Sequence, residues 1–282
     1  MWNYKGLKDG AMQAEYCKKL LDVSRGHLLN VAIENASVVQ NDGYEIDGQF
    51  VSLKEALTEM CIEFPPDKSL SPIKTQPNSI TNVQIRNETT ELVARDLTGQ
   101  GHRPLVLNFA NGHTAGGGYL RGARAQEETL CYASTLYETI KDSPMYKFHS
   151  RWNNDVTDYA LVSKTWVFRN ETYDLLMEPW QMDVITCAAP IVYGSTSEKD
   201  AANLMDSRIH RVLHIAHHLG YSSLVLGAWG CGAFRNNPVL ISEIFRKHLE
   251  HSFAGCFEEV VFAIADWSPE RRFLAPFHKA FS

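Results

Sequence analysis

Three consecutive glycines, Gly116-Gly117-Gly118, are followed after seven residues by Gln126-Glu127-Glu128. A glycine triplet removes every side chain from a short piece of backbone, so an anionic group can approach its N–H donors closely. Two carboxylates then stand at the start of a helix that the sequence carries from Gln126 to about Lys141. Backbone shaped for phosphate with a carboxyl group beside it suits cleavage of a nucleotide-type ligand. A second cluster, Gly227-Ala228-Trp229-Gly230-Cys231-Gly232-Ala233-Phe234, lies between an apolar run and Pro238, and proline suits the first turn of a helix. Both loops therefore have a strand before them and a helix after them. Ligands of open αβ sheets bind beyond the carboxyl ends of the strands, so two such loops can clasp one ligand although they are far apart in sequence. Gly230-x-Gly232-x-x-Arg235 lacks the third glycine of the dinucleotide fingerprint, and neither loop ends in Gly-Lys-Ser/Thr, so neither is a P-loop.

The elements that must position these loops read as an alternation. Strands are expected at Val83–Ile85, Pro104–Ala110, Ala160–Ser163, Thr165–Arg169, Met182–Ala188, Ser223–Ala228 and Glu259–Ala265. Helices are expected at Thr89–Leu97, Gln126–Lys141, Ala201–Leu219 and Pro238–His248. Runs such as Leu105-Val106-Leu107 and Leu224-Val225-Leu226 fit strands buried on both faces of a mixed, largely parallel sheet. Helices between them imply layers on both sides. Residues 1–80 read as an accessory region: a helix over 11–25, turn signals at Asn41-Asp42-Gly43 and Asp47-Gly48 with short β-like runs, and a helix near Leu53–Cys61. The proline-rich stretch 64–79 is the linker candidate, which places a domain boundary near 80 and a second domain over 81–282.

Composition bounds the chemistry. The 282 residues are 44% hydrophobic, enough for one large core. A net charge of −6 excludes a general nucleic-acid footprint, so a polyanionic ligand must be held by backbone amides and helix ends rather than by massed Lys and Arg. The six cysteines are scattered with no CxxC pair, which points to reduced thiols in a cytoplasmic setting. Neither a signal peptide nor a membrane-spanning segment is expected. His210, His214, His217 and His218 share one expected helix, but no carboxylate or thiol completes a ligand set, so the reading is a solvated or partly buried face and no metal site. Cys231 has no assignable base and is not read as a nucleophile.

The composite of Asn108-Phe109-Ala110-Asn111, Gly116-Gly117-Gly118, seven residues and Gln126-Glu127-Glu128 resembles the signature of bacterial-type poly(ADP-ribose) glycohydrolases, a branch of the macrodomain fold. Asp183-Val184-Ile185-Thr186-Cys187-Ala188-Ala189-Pro190 and the second glycine loop are similar to two further blocks of that family, so the resemblance covers roughly 80–270. A departure is Ile191, where the pattern leads to Asn; it bears on a ligand contact at that strand end. The resemblance implies an α/β protein, a three-layer αβα macrodomain-like mixed sheet with an N-terminal accessory extension, hydrolysing ribose–ribose bonds to release ADP-ribose without a cofactor. It implies Glu128 as catalytic acid and Glu127 as holder of the ribose hydroxyls. Asn111 would orient the distal ribose, with Gln126 part of the same substrate-binding motif. Gly116, Gly117 and Gly118, with Gly230, Cys231 and Gly232, would wrap the diphosphate, Ala233 would be a further substrate-binding residue, and Phe234 would pack beside the scissile ribose. Its partners would be poly(ADP-ribose) or ADP-ribosylated protein. Two alternatives stay open: a mono-ADP-ribosyl hydrolase acting on modified protein or nucleic acid, and a non-catalytic ADP-ribose-binding module.

Glycosidic cleavage through an oxocarbenium-like state needs an acid for the leaving oxygen and a base for water. Adjacent helix residues point about 100° apart, so Glu127 and Glu128 cannot share one job. The helix dipole favours their ionised forms, whereas burial, the neighbouring carboxylate and the ligand's diphosphate act the other way. Glu128 is therefore expected to take up its proton as ligand fills the crevice. Plainer roles also fit: Asn111 as a turn cap, Phe234 as a core cap, the glutamates as N-terminal charge stabilisers, and Thr89 or Thr90 as a helix cap.

Overall fold

The computed structural model describes residues 23–54, 61–76, 78–150, 157–193 and 197–282. The helix expected over 11–25 lies outside these residues up to position 22, as does the one near 53–61 from 55 to 60. The chain opens with α1 (Arg25–Gln40), where Ser24 Oγ caps the first turn by accepting from the His27 N–H at 3.1 Å. A hairpin follows, β1 (Gly43–Ile46) and β2 (Gln49–Ser52). Its two-residue turn, Asp47-Gly48, has φ of +50° and +76°, which these residue types tolerate best and which matches strand twist. Next come β3 (Ile62–Phe64), β4 (Asn82–Arg86), α2 (Thr90–Gly99), β5 (Pro104–Ala110), α3 (Gln126–Ala133), α4 (Leu136–Ile140) and α5 (Pro144–Ser150). The chain continues with β6 (Ala160–Arg169), β7 (Leu175–Ala188), α6 (Glu198–His218), β8 (Ser223–Leu226), α7 (Pro238–Lys247), β9 (Glu259–Ala263) and α8 (Leu274–Ala280).

Seven strands form one mixed sheet in the order β3-β6-β7-β5-β8-β9-β4. The five from β7 to β4 are parallel, and β3 and β6 add an antiparallel edge. The period-2 pleat divides the buried strand residues between two cores. Leu105, Leu107, Leu224, Leu226, Val260 and Phe262 pack against α6, α7 and α8, whereas Val106, Val184, Val225 and Val261 pack against α1, α2 and α3. Burying each such side chain contributes about 1.5–3 kcal/mol, and double-sided burial is what produces three αβα layers.

Besides the start of β7, which lies at Leu175 and not at Met182, four expectations need revision. The stretch Gln126–Lys141 is not one helix: Thr135 N–H donates to Trp166 O and Trp166 N–H to Thr135 Oγ1, both at 3.0 Å, so residues 134–135 pair with β6 and divide α3 from α4. The two strands expected over 160–169 are one, running through exposed Lys164. α1 extends well beyond the expected helix over 11–25, and Leu28, Val31, Ala32 and Val38 keep helical spacing along it. Asn35 interrupts that stripe and hides the pattern; it is buried because its Nδ2 donates to the Cys131 and Tyr132 carbonyls that end α3.

The fourth concerns the described residues before 80, which are built into the same body. β3 extends the main sheet, α1 packs on its α3 face, and the proline-rich stretch is fastened along α6. There Arg211 donates to the Pro65 and Lys68 carbonyls, His217 Nε2 accepts from Lys74 N, and His218 Nδ1 accepts from Ser71 N. The histidine face of α6 is thus a docking face for this stretch.

Candidate active site

The two glycine loops leave the carboxyl ends of β5 and β8, which are neighbours in the sheet. Between them lies a cavity of about 440 Å³, a size suited to a nucleotide-like ligand. Asn111, Gly117, Gly118, Gln126, Glu127, Glu128, Gly230, Gly232, Ala233 and Phe234 all line it. Two sequence candidates lie behind the wall. Gly116 is buried against Tyr137 and Cys131, and Cys231 points into the core with its Sγ toward the Trp229 carbonyl. Burial pushes the Cys231 thiol well above its ordinary range, which leaves no thiolate to attack. Ile191 lies outside the wall and is exposed.

The first glycine loop serves the carboxylates before it serves any ligand. Gly118 N–H donates to Glu128 Oε1 at 2.7 Å, and the Ala125 N–H at the helix start donates to Glu128 Oε2 at 2.8 Å. The Gly116 N–H contacts the Glu127 carboxyl, and Gly117 N–H donates to Thr114 O at 3.0 Å. The donors expected to face a diphosphate are therefore spent within the loop. A Cβ on Gly117 would stand 2.5 Å from Glu128 Oε1 and 3.0 Å from Glu127 Oε2, so the glycine is required for the acids to sit where they do. In the second loop, among the described residues, the N–H groups of Gly232, Ala233 and Phe234 have no protein acceptor. That loop is the better anion cradle.

Glu127 and Glu128 are both buried, at 3% and 6% exposure. Glu127 Oε2 accepts from the Asn111 N–H at 2.8 Å, and its Oε1 faces Asn108 Nδ2 at 3.4 Å. Burial, reinforced by the Glu128 charge, pushes Glu127 from 4.5 up to about 8 against these hydrogen bonds. A protonated Glu127 beside Glu128 reduces the negative charge that an incoming diphosphate meets.

Two other candidates are occupied in positioning. Gln126 Oε1 accepts from Phe109 N at 2.9 Å and its Nε2 donates to Leu107 O at 2.8 Å, tying α3 to the end of β5. Asn111 Oδ1 accepts from the His113 and Thr114 N–H groups, both at 2.9 Å, so its side chain caps the turn and its backbone holds Glu127.

Sequence reading misses part of the wall: Glu88 and Glu91 around the start of α2, Arg121 and Arg124, and the aromatic pair Trp267 and Phe273. The arginines stand between the glycine triplet and Gln126 and are legible there as cations in a ligand loop. The aromatics follow β9 and carry no local motif. Among the described residues no group of His, Cys, Asp and Glu is arranged to hold a metal ion, and no helix is long and apolar enough to cross a membrane.

A three-layer αβα sheet with a carboxylate pair under a glycine loop at the parallel strand ends defines a macrodomain-type protein. The family described as microbial-type PARG, catalytic domain, matches residues 32–170. The poly(ADP-ribose) glycohydrolase of Thermomonospora curvata is 31% identical, with 91% of this chain and 100% of that chain covered at a TM-score of 0.84. The same enzyme bound to the inhibitor ADP-HPD gives 31% identity, 90% and 99% coverage and a TM-score of 0.80. The Deinococcus radiodurans poly(ADP-ribose) glycohydrolase in complex with ADP-ribose is 33% identical, covering 73% of this chain and 86% of that one at a TM-score of 0.68. No curated protein matches the chain. The chain belongs to the microbial-type poly(ADP-ribose) glycohydrolase family.

Proposed function

We propose that the protein hydrolyses the ribose–ribose O-glycosidic bonds of poly(ADP-ribose), releasing ADP-ribose, with Glu128 as acid and base. The observation that carries this reading is Glu128 itself, held through both oxygens by the Gly118 and Ala125 amides at the wall of the cavity. Glu128 gives a proton to the departing ribose oxygen as the bond to the anomeric carbon breaks. Its carboxylate then takes a proton from the water that attacks that carbon, which restores the acid. Glu127, kept protonated near neutral pH by burial, binds the ribose hydroxyls. Phe234 packs beside the scissile ribose, the N–H groups of Gly232 and Ala233 take the diphosphate, and Trp267 and Phe273 flank the far end of the ligand. The five described cysteines are free thiols, which fits a reducing, cytoplasmic compartment.

The test is incubation of the purified protein with poly(ADP-ribose) and, separately, with a mono-ADP-ribosylated protein, followed by chromatography of the released nucleotide. Free ADP-ribose from the polymer is expected. Release from the mono-ADP-ribosylated protein alone would replace this reading with a mono-ADP-ribosyl hydrolase, and release from neither would leave a binding module.

A further inference from the structure

Asn108 sits in the middle of the sheet, two residues on from Val106, so its side chain points to the α3 layer. It is fully buried, and so is Thr186, its register partner on β7. Leu105, Val106 and Leu107 before it are all buried apolar residues, so an amide here breaks the pattern of the strand. Its hydrogen bonding is incomplete. Nδ2 reaches Thr186 Oγ1 at 3.2 Å and Glu127 Oε1 at 3.4 Å, while Oδ1 has no partner among the described residues. A buried amide left half-satisfied is costly to the fold, and a leucine at this position would remove that cost. The feature that repays it is the contact with Glu127.

We propose that Asn108 is a positioning residue that holds the Glu127 carboxyl from β5 while the Asn111 amide holds it from the loop. Two donors from two places in the fold, one on each oxygen, fix one carboxyl, leaving it a single orientation toward the ribose hydroxyls. The titratable groups facing Glu127 are Glu128 and Cys131 on its own helix and Tyr146 from α5. None of the three brings positive charge, so Asn108 is the side-chain donor that joins the Asn111 amide in favouring the carboxylate against them. Removing it leaves Glu127 less well held and protonated to higher pH. This inference rests on the proposed role of Glu127 in binding ribose.

The experiment is calorimetric titration of ADP-ribose into wild type, Asn108→Leu, Asn108→Ala and Thr186→Val across pH 6–10, with turnover of poly(ADP-ribose) measured alongside. Loss of the donor is expected to weaken ADP-ribose binding about tenfold, the value of one hydrogen bond. It should also move the pH at which affinity falls upward in both Asn108 variants. Thr186→Val should leave that pH in place. An unchanged pH dependence in folded Asn108→Leu, with only its melting temperature lowered, would reduce Asn108 to a structural residue. Should the leucine variant not fold, Asn108→Ala, which removes the donor without adding a charge, decides in its place. The two possible failures are separable: wild type without turnover overturns the glycohydrolase reading, whereas wild type with turnover and an unmoved pH profile in the variants overturns this one.

Discussion

Replacing Glu127 with Gln should make the protein less sensitive to alkali, and the size of the effect follows from burial. The Glu127 carboxyl is 3% exposed and is pushed from 4.5 to about 8, first by burial and then by Glu128. A carboxyl that keeps its proton in the folded state and loses it in the unfolded state makes folding bind a proton. Its contribution is fully present below 4.5 and is lost as pH rises to about 8, beyond which both states are ionised. At about 1.4 kcal/mol per pH unit, the whole window is worth roughly 5 kcal/mol, and the part above pH 5.5 roughly 3 kcal/mol. A glutamine side chain in the same place has nearly the same shape and no proton to lose. Urea unfolding of wild type and Glu127→Gln at pH 5.5 and 8.5 isolates the effect, because titrating groups that do not interact with Glu127 cancel in the difference. The stability gap should shift by about 3 kcal/mol in favour of the variant between the two pH values. Parallel stability–pH curves for the two proteins would refute the claim that Glu127 is buried as a neutral acid.

The remaining expectations concern the walls of the same cavity. Gly117→Ala places a Cβ 2.5 Å from Glu128 Oε1 at a φ of +56°; it should cost about 1–2 kcal/mol for the left-handed backbone and abolish detectable turnover, read by urea unfolding and by ADP-ribose release. Gln126→Ala strands the Phe109 N–H and the Leu107 carbonyl; urea unfolding should show a loss of about 1–3 kcal/mol. Cys231→Ala should retain turnover in a steady-state assay, since the thiol packs in the core and lies off the cavity wall.

Much of this architecture is legible because double-sided burial writes continuous apolar runs into the strands. The expected bounds of β5 match the structure, and those of β4, β8 and β9 agree to within one or two residues, with α2, α6 and α7 close behind. The break after Ala133 is not legible, because Ser134 and Thr135 are ordinary at a helix end and their pairing with Trp166 and Val167 is a long-range event. The union of the described residues before 80 with the sheet is hidden for a similar reason. Prolines announce a loop, and nothing local announces that Arg211, His217 and His218 grip it. In the site, most of the motif residues meet around one cavity, with Gly116 and Cys231 behind its wall. The division of labour differs from the simplest reading, since a glycine's N–H faces whatever acceptor the fold supplies, and here the first loop's acceptors are carboxylates.

The central claim is that Glu128 performs the chemistry and does not hold the ligand. Its most direct test is Glu128→Gln, assayed both for ADP-ribose release from poly(ADP-ribose) and for ADP-ribose affinity by calorimetry. Turnover should fall by about 10³-fold or more while affinity stays within about threefold of wild type. Turnover that survives the substitution, or an affinity that collapses along with it, would contradict the account.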